Sequence, residues 1–350
     1  MINTTNSNTS RQLIYGLLLG VILTLSTNSL RRWLRRKNGD KFNGNKRELN
    51  SPRRPSDVIS EDIVDGIEGL IGNTPLMRIK SLSDATGCEI LGKAEFLNPG
   101  GSPKDRVALN MIKEAERKKL VKPNKGCTIF EGTSGSTGIS IAMIARAKGY
   151  NAWIIMPDDQ AKEKYQILEK LGATVEKVKP ASIVDKNQFV NLAKRRAEEF
   201  GTKIINEGEG TGGTIAGISR YLKPLIPNLK VFLVDPPGSG LYHKVKHNIM
   251  YSPCEAEGTR KRHQVDTVVE GVGLNRITKN FNMSTGMIDD AIRVTDEEAV
   301  SMAMYLVKEE GLFVGSSSAI NCVGCVRVAR QLGPGHRIVT LLCDSGQRLV

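Results

Sequence analysis

Lys104 is the first residue whose position in the sequence predicts covalent chemistry. It lies in the segment N-P-G-G-S-P-K-D-R, residues 98–106, and a helical pattern starts at Val107. Because the positive end of a helix dipole disfavours a cation, we expect the pKa of Lys104 to fall and its neutral amine to become available as a nucleophile. A Schiff-base lysine needs this property, but an ordinary surface lysine at a helix start has the same pattern.

A run of small residues, E-G-T-S-G-S-T-G at 131–138, comes between an apolar stretch and a helical pattern. Its hydroxyls and free backbone N–H groups can surround an anion where the helix begins. Capping of the helix by Ser or Thr is the simpler interpretation. Since a cap needs fewer such residues, the run favours a carboxylate or phosphate site.

Two later loops have a similar composition, also at helix starts. Residues 208–214, G-E-G-T-G-G-T, match G-x-G-x-x-G, and the next apolar run ends at Asp235, 27 residues after Gly208. That pattern alone would also suit a nicotinamide dehydrogenase, although the preceding strand at 203–206 is short and half polar. The fourth loop, residues 315–318, reads G-S-S-S. A phosphate site follows from either interpretation of the third loop.

From about Ile63 onwards, short apolar runs alternate with helical patterns. This order predicts βαβ units with a mainly parallel sheet, and such sheets bind ligands at the carboxyl ends of their strands. The predicted strands are 127–130, 152–156, 174–178, 231–234 and 338–342, and the predicted helices are 137–148, 161–171, 214–222, 297–310 and 319–332.

The composition excludes several classes of protein. With 39% hydrophobic residues and 35 glycines among 350 residues, the chain is neither disordered throughout, nor collagen, nor a small disulfide-stapled scaffold. The six scattered cysteines are typical of a reducing compartment. The pair Cys322 and Cys325 lies in an apolar helical pattern, which favours core packing over a metal or redox site.

The net charge of +13 is concentrated near the N-terminus, where residues 1–60 contain eleven Lys and Arg against three acids. Elsewhere the one basic cluster is Arg260-Lys261-Arg262, which indicates a short solvated loop, so we expect no nucleic-acid partner. We also expect no metal, because His243 and His247 have no acid nearby in the sequence. An apolar run from Leu13 to Leu30 precedes the basic residues 31–37. Its length is near the lower limit for a transmembrane helix, and the positive flank after it places the rest of the chain in the cytosol.

This N-terminal pattern favours a signal anchor of the mitochondrial outer membrane. The Ser, Thr and Arg content, with few acids, leaves open a cleaved presequence that would deliver the protein to the mitochondrial matrix. A buried helix is the third alternative. We assign residues 1–37 to the anchor with its basic flank and residues 38–61, which include Pro52 and Pro55, to a linker.

Together the loops resemble those of the β-family of pyridoxal-phosphate enzymes (fold type II), the cysteine synthases and cystathionine β-synthases. The resemblance runs from I-G-N-T-P-L at 71–76 to the C-terminus. The matching motifs, in family order, are residues 98–106, 131–138, 210–214, 270–273 (E-G-V-G) and 343–348 (C-D-S-G-Q-R). The serine-rich fourth loop and the T-S-G-S-T variant look most like fungal mitochondrial or membrane-associated cysteine synthase-like proteins.

The resemblance implies a role for each loop. Lys104 would form the Schiff base with pyridoxal 5'-phosphate and, once freed, act as general base. Ser136 and Ser317 would face the ring of the cofactor, with Ser317 at the pyridine nitrogen. The cofactor phosphate would lie on Gly210, Thr211, Gly212, Gly213 and Thr214. The substrate would contact Thr133, Ser134, Gly135 and Thr137 through its carboxylate, and Gly271 and Gly273 at the mouth of the site.

The implied reaction is a β-replacement. O-Acetylserine, or a related activated serine, would lose its β-substituent to give a bound aminoacrylate, and sulfide would add to make L-cysteine. A neutral Ser317 at the ring nitrogen would leave the ring a weaker electron sink, which favours prompt elimination. Condensation of serine with homocysteine, as in cystathionine β-synthases, is an alternative. The resemblance also implies a homodimer.

Fold type II implies an α/β catalytic domain, here residues 62–350, with two open parallel-sheet, three-layer subdomains. The smaller would span about 98–200 and the larger 62–97 plus 201–350. One departure is serious: residues 201–209 stand where the family has several dozen residues, including the core strand that enters the phosphate loop. Loss of that strand would expose its neighbours, so a catalytically impaired protein with this fold is a further alternative. Ser136 also replaces the usual Asn of the family.

Overall fold

Two β-sheets organise the part of the chain that this computed structural model describes, namely residues 14–17, 63–201, 212–250 and 267–346. The smaller sheet has three parallel strands in chain order, at residues 128–132, 151–157 and 174–178. The larger sheet has six strands, and in spatial order they are residues 76–78, 89–94, 337–342, 14–17, 230–235 and 290–293. Among these described strands only the first two are antiparallel to each other. Mainly parallel sheets with helices packed on them agree with the α/β class expected from the sequence.

The strands of both sheets are short and rich in apolar residues. They are β1 (Ile14–Leu17), β2 (Leu76–Arg78), β3 (Glu89–Ala94), β4 (Thr128–Gly132), β5 (Asn151–Pro157), β6 (Thr174–Val178), β7 (Lys230–Asp235), β8 (Asp290–Arg293) and β9 (Arg337–Leu342).

Helices connect most of these strands. They are α1 (Gly66–Leu70), α2 (Lys80–Thr86), α3 (Lys104–Arg117), α4 (Ser136–Ala147), α5 (Lys162–Lys170), α6 (Phe189–Glu199), α7 (Gly213–Leu222), α8 (Leu241–His247), α9 (Lys279–Asn282), α10 (Asp296–Glu310) and α11 (Ser316–Leu332). The five strands and five helices listed above from the apolar pattern are present, with ends that differ by three residues at most. The predicted strand at 203–206 lies outside the described residues.

Each sheet has its own apolar core. Around the smaller sheet the buried side chains of α3, α4 and the strands include Ile112, Ile144 and Ile154, which are fully buried. Around the larger sheet Ile90, Ile320 and Ile338 are equally buried. The salt bridge from Lys164 on α5 to Glu270, 2.9 Å long, joins the two halves at the surface.

The strand β1 is the unexpected element of the larger sheet. Its backbone lies between β7 and β9 and runs parallel to both, with Gly16 opposite Val231 on one side and Val339 on the other. The sequence predicts a membrane helix over 13–30, and at Ile14–Leu17 the structure has a strand instead. In this position β1 is paired with both β7 and β9. Without β1, the facing edges of these two strands would have unpaired backbone groups.

The rest of the predicted anchor and the linker lie outside the described residues. Within the described ranges no helix is both long and apolar enough to cross a membrane.

Candidate active site

Lys104 is the first residue of α3 and is only partly exposed. Burial of its amine lowers its pKa, while the nearby Cys343 and Asp344 act in the opposite direction. The sequence correctly predicts a lowered pKa, but burial, rather than the helix dipole, is its main cause. Desolvation disfavours the charged ammonium form, so the structure favours the neutral amine that a nucleophile or a base requires.

The turn that presents Lys104 is fixed by the neighbouring Asp105, which is fully buried. Its carboxylate accepts hydrogen bonds from the Gly100 N–H (2.5 Å) and from the Ser140 hydroxyl (2.6 Å). A Cβ at position 100 would lie only 2.3 Å from Asp105 Oδ1, so the close approach requires glycine there. Since Ser140 lies one turn into α4, Asp105 connects the lysine turn to the helix that follows the second loop.

A buried ion pair supports the same turn from the other side. Arg106 donates to both carboxylate oxygens of Glu95, at 2.7 and 2.8 Å, and Thr74 donates to Glu95 at 2.7 Å. Although burial opposes ionisation of Glu95, its hydrogen bonds from Arg106 hold its pKa below the ordinary value. The Asn98 side chain also bonds to this carboxylate, so the entire lysine loop is anchored on a paired charge.

The second loop leads into the start of α4, and Thr133 Oγ1 accepts a hydrogen bond from the Gly135 N–H at 3.3 Å. The helix begins at Ser136, and none of the described Ser or Thr side chains caps it. Thr133, Ser134, Gly135 and Thr137 are all partly exposed. The capping interpretation is therefore wrong for this loop. The anion-binding interpretation stays a prediction.

The third loop is described only from Gly212 onwards; Gly208, Gly210 and Thr211 lie outside the described residues. Gly212 has a φ of 89°, which favours glycine, and α7 begins at Gly213. The Thr214 hydroxyl is buried and has no hydrogen-bond partner among the described residues. An orphaned buried hydroxyl at a helix start is well suited to an anionic oxygen.

Asp235, the acidic residue of the dehydrogenase interpretation, is fully buried and accepts a hydrogen bond from the Tyr242 N–H at 2.7 Å. Burial raises its pKa to about 6. Because this carboxylate is fully buried and accepts a hydrogen bond within the protein, it does not face a ribose. The structure therefore gives no support to a nicotinamide site.

The three serines of the fourth loop each have a different partner. Ser316 Oγ accepts from the Glu270 N–H at 3.3 Å, and Ser318 Oγ accepts from the Cys343 N–H at 2.8 Å. Ser317, between them, donates to Asp344 Oδ1 at 2.9 Å. These contacts bring the E-G-V-G segment and the C-D-S-G segment to the start of α11. Gly271 and Gly273 both have positive φ, 73° and 96°.

Asp344 also lies close enough to Lys104 to influence its pKa, so the lysine turn, the C-D-S-G segment and Ser317 form one neighbourhood. Residue patterns did not assign roles to Asp105, Ser140 or Asp344. The signal for Asp344 was present in the C-D-S-G-Q-R motif, but its partner Ser317 is 27 residues away in the chain.

The cysteine pair of α11 is structural. Cys322 and Cys325 are fully buried, and burial raises the pKa of the Cys325 thiol to about 12. Core packing, the interpretation favoured from the sequence, is confirmed. No group of His, Cys, Asp and Glu side chains within the described ranges is arranged to hold a metal ion.

Similarity to known proteins agrees with this site. A family model described as pyridoxal-phosphate dependent enzyme matches residues 67–209 and 207–344. A cysteine synthase 2 of Schizosaccharomyces pombe is 56% identical over 332 residues, covering 84% of each chain. A candidate mitochondrial cysteine synthase of Saccharomyces cerevisiae is 50% identical over 325 residues, covering 81% of this chain and 82% of its own. A cystathionine beta-synthase of Apis mellifera is 33% identical, covering 85% of this chain and 64% of its own.

Solved structures share the fold. A hydrogen sulfide-producing enzyme of Fusobacterium nucleatum superposes with a TM-score of 0.67 at 28% identity, covering 82% of this chain and all of its own. An O-acetylserine dependent cystathionine beta-synthase of Helicobacter pylori has a TM-score of 0.68 at 27% identity, covering 82% of this chain and 97% of its own.

The alignments also locate the shortened segment. The match to the S. pombe relative extends over 332 positions, whereas 84% of 350 residues is about 294, so the relative has about 38 positions without a counterpart here. The family model matches in two pieces that meet at 207–209. Both observations agree with a segment missing just before the third loop.

Proposed function

The chain belongs to the family of pyridoxal-phosphate dependent enzymes, and we propose that it catalyses the β-replacement that makes L-cysteine from O-acetylserine, or a related activated serine, and sulfide. Lys104 carries this proposal: burial of its amine lowers its pKa, and hydrogen bonds anchor its turn on both sides. The higher identity to cysteine synthases than to a cystathionine beta-synthase favours sulfide over homocysteine as the acceptor.

The residues present suit the cofactor. Thr214 offers a hydroxyl that has no partner among the described residues, and Gly212 and Gly213 offer backbone N–H groups for the phosphate. Gly210 and Thr211 precede them in sequence. Ser136 and Ser317 would contact the ring. Pyridoxal phosphate, when bound, supplies an electron sink for negative charge at the α-carbon of an amino acid.

Lys104 supplies the proton transfers. Its neutral Nζ takes the α-proton of the substrate and later returns it after the thiol has added to the β-carbon. Burial lowers the pKa of Lys104, so its neutral amine is more available than that of a fully solvated lysine. Asp105 and the Glu95–Arg106 pair limit the movement of the turn, so that Nζ stays in position between the two transfers.

The second loop holds the substrate. Thr133, Ser134, Gly135 and Thr137 present hydroxyls and N–H groups at the start of α4, where the helix dipole favours a carboxylate. Gly271 and Gly273 line the mouth of the site. Their positive φ lets the backbone turn without a side chain that would narrow the entrance.

We further propose that the protein resides in mitochondria, as the name of the S. cerevisiae relative and the basic tail suggest, and that it acts as a homodimer. Anchoring in the outer membrane would require residues 14–17 to leave the larger sheet. Carbonate extraction of mitochondria that contain the full chain would distinguish the two arrangements: an anchored chain stays in the pellet, and a chain with β1 in its sheet is released.

The decisive experiment is the visible absorption spectrum of the full-length chain with added pyridoxal phosphate, before and after O-acetylserine. We expect a yellow band that changes on addition of substrate, and cysteine formation when sulfide follows. Lys104→Ala should lose the band and reduce turnover by about 100-fold or more. Lys93→Ala is the matched control, because burial lowers the pKa of that lysine too but it contacts the Thr74 carbonyl. Absence of the band in the wild-type chain would instead favour the impaired protein.

A further inference from the structure

A basic cleft lies beside β8, the strand at one edge of the larger sheet. It has a volume of about 370 Å³ and is bounded by α8, β8 and the C-terminal part of α11. Its lining residues are distinct from all those assigned above to the cofactor and the substrate. Within the described part of the chain they include no acid and four cations, which are Lys246, Arg293, Arg327 and Arg330. A concave surface lined by cations concentrates anions.

The guanidinium of Arg293, the last residue of β8, is fixed by its neighbours. It lies over the ring of Tyr242, with 4.7 Å between Cζ and the ring centroid, and its Nη2 donates to the Ser239 carbonyl at 3.2 Å. Its Nε is buried and has no hydrogen-bond partner among the described residues. Because a guanidinium has five N–H donors, Arg293 is preorganised and still has donors to offer a ligand.

Two of the four cations already have acidic partners. Lys246 pairs with Asp290, and Arg327 pairs with Glu298. Arg327 also donates to the Arg293 carbonyl, which connects α11 to β8. Each of the two cations has more N–H donors than these contacts use. The pairs therefore hold the walls of the cleft in place without exhausting its donors.

The other two cations are not neutralised by an ion pair within the described ranges. Arg330 is exposed in the last turn of α11; the helix dipole favours a cation there, but this accounts for only one of the four. Asp235 is close to Arg293, and although burial raises the pKa of its carboxyl to about 6, Arg293 acts in the opposite direction. Asp235 is fully buried and does not line the cleft, so it offsets part of the Arg293 charge only from within the core. Positive charge remains on the open side.

We propose that this cleft binds a phosphate group, carried by inorganic phosphate, a small phosphate ester or a phospholipid headgroup, at a site separate from that of the cofactor. A phosphate dianion has several acceptor oxygens and can take charge-assisted hydrogen bonds from donors on α8, β8 and α11 together. Arginine suits it because the planar fork of the guanidinium matches phosphate oxygens. The proposal does not depend on the proposed function.

The test is isothermal titration calorimetry of the full-length chain with inorganic phosphate, after the chain has been loaded with pyridoxal phosphate and freed of the excess. We expect phosphate to bind, to bind more weakly as NaCl is added, and to bind about tenfold more weakly to Arg330→Gln. This variant changes an exposed side chain, so the fold should be retained. Arg220→Gln is the matched control, because Arg220 is also an exposed arginine in the last turn of its helix, α7. It should bind phosphate as the wild type does.

Equal phosphate affinity in Arg330→Gln and the wild type would overturn the inference, and so would the absence of any heat of binding in the wild type. If the chain does not load with pyridoxal phosphate, Arg330→Gln still tests the cleft, because Arg330 lies on a different helix from the third loop.

Phosphatidylcholine vesicles with and without phosphatidic acid distinguish the sources of the phosphate group. Weaker binding of Arg330→Gln to the phosphatidic acid vesicles would support the site with a lipid headgroup as its ligand. If the change weakens binding of inorganic phosphate but not of the vesicles, the site is supported with a soluble ligand. The basic tail is the same in both chains, so it does not affect this comparison.

Discussion

The two sheets of this protein are assembled in contrasting ways. The smaller sheet is built from three consecutive strands within residues 128–178, and each strand pairs with its nearest neighbour in sequence. The larger sheet draws its strands from residues 14–17, 76–94, 230–235, 290–293 and 337–342. A sheet made from adjacent βα units depends on local sequence, whereas the larger sheet depends on segments that meet only after most of the chain has been made. The shortened segment at 201–209 lies outside the stretch of chain, residues 128–178, that forms the smaller sheet.

The largest effect should come from breaking the central strand of the larger sheet. Gly16→Pro removes a backbone donor from a strand that is paired on both sides, a position where proline is essentially not found. We expect β7 and β9 to lose amide protection against hydrogen exchange while β4, β5 and β6 keep theirs. Asn6→Pro, earlier in the same tail, is the control. Unchanged protection of β7 and β9 in Gly16→Pro would mean that β1 contributes nothing to the sheet.

The next effect compares equivalent isoleucines in the two cores. Ile154 in β5 and Ile338 in β9 are both fully buried, and truncation of each to Ala should cost about 2–5 kcal/mol in free energy of unfolding. Hydrogen exchange should rise only around the smaller sheet for Ile154→Ala, and across β1, β3 and β9 for Ile338→Ala. Equal spread of the effect in both variants would show that the two sheets unfold as one unit.

A smaller effect is a pH dependence of the free energy of unfolding that arises in the larger sheet. The pKa of Asp235 at the end of β7 is raised from 3.8 to about 6 by burial. Between these values the folded protein holds a proton that the unfolded chain has released, so stability falls as the pH rises through this range. Asp235→Asn keeps an acceptor for the Tyr242 N–H and should stabilise the protein at pH 8 by about 2–3 kcal/mol. Denaturant titrations at pH 4 and pH 8 measure this, and an equal change at both pH values would contradict it.

The smallest effect is a pH dependence of stability with the opposite sign, and it arises in the smaller sheet. Glu176 in β6 accepts two hydrogen bonds from Arg196, which lower its pKa below 4.5. The stabilisation from this pair is present above the pKa that Glu176 has in the unfolded chain. It is lost as the pH falls through the pKa that Glu176 has in the folded protein. Because the pair is partly exposed, Glu176→Gln should cost about 1 kcal/mol or less at pH 7 and nothing at low pH. The same denaturant titrations test this prediction. A loss of stability in Glu176→Gln that persists at low pH would contradict it.

The accuracy with which the fold could be predicted from the sequence also differs between the smaller and the larger sheet. Strands and helices between residues 127 and 178 were predicted almost to their ends, because apolar periodicity is a local signal. The strand at Ile14–Leu17 was not predicted, since a continuous apolar run does not distinguish a strand from a buried or membrane helix. Its pairing partners are more than two hundred residues away, and no local pattern records them.

The site divides in a similar manner. Lys104 and the four loops were found from residue types next to helix starts, and the structure places the described parts of them where helices begin. The main cause of the lowered Lys104 pKa could not be predicted, because burial depends on tertiary packing. The contact between Ser317 and Asp344 joins two motifs that sequence reasoning had treated separately. Motifs therefore predict which loops act, and the structure supplies the contacts between them.

The place of β1 in the larger sheet has a consequence for the order of events during synthesis. At about 5–20 residues per second, residues 14–17 leave the ribosome tens of seconds before their neighbours at 337–342. During that interval the smaller sheet can fold from residues already made, while residues 14–17 have not yet paired with β9. We therefore expect the rate of translation to influence how many molecules complete the larger sheet, because β1 pairs with a strand that is made last.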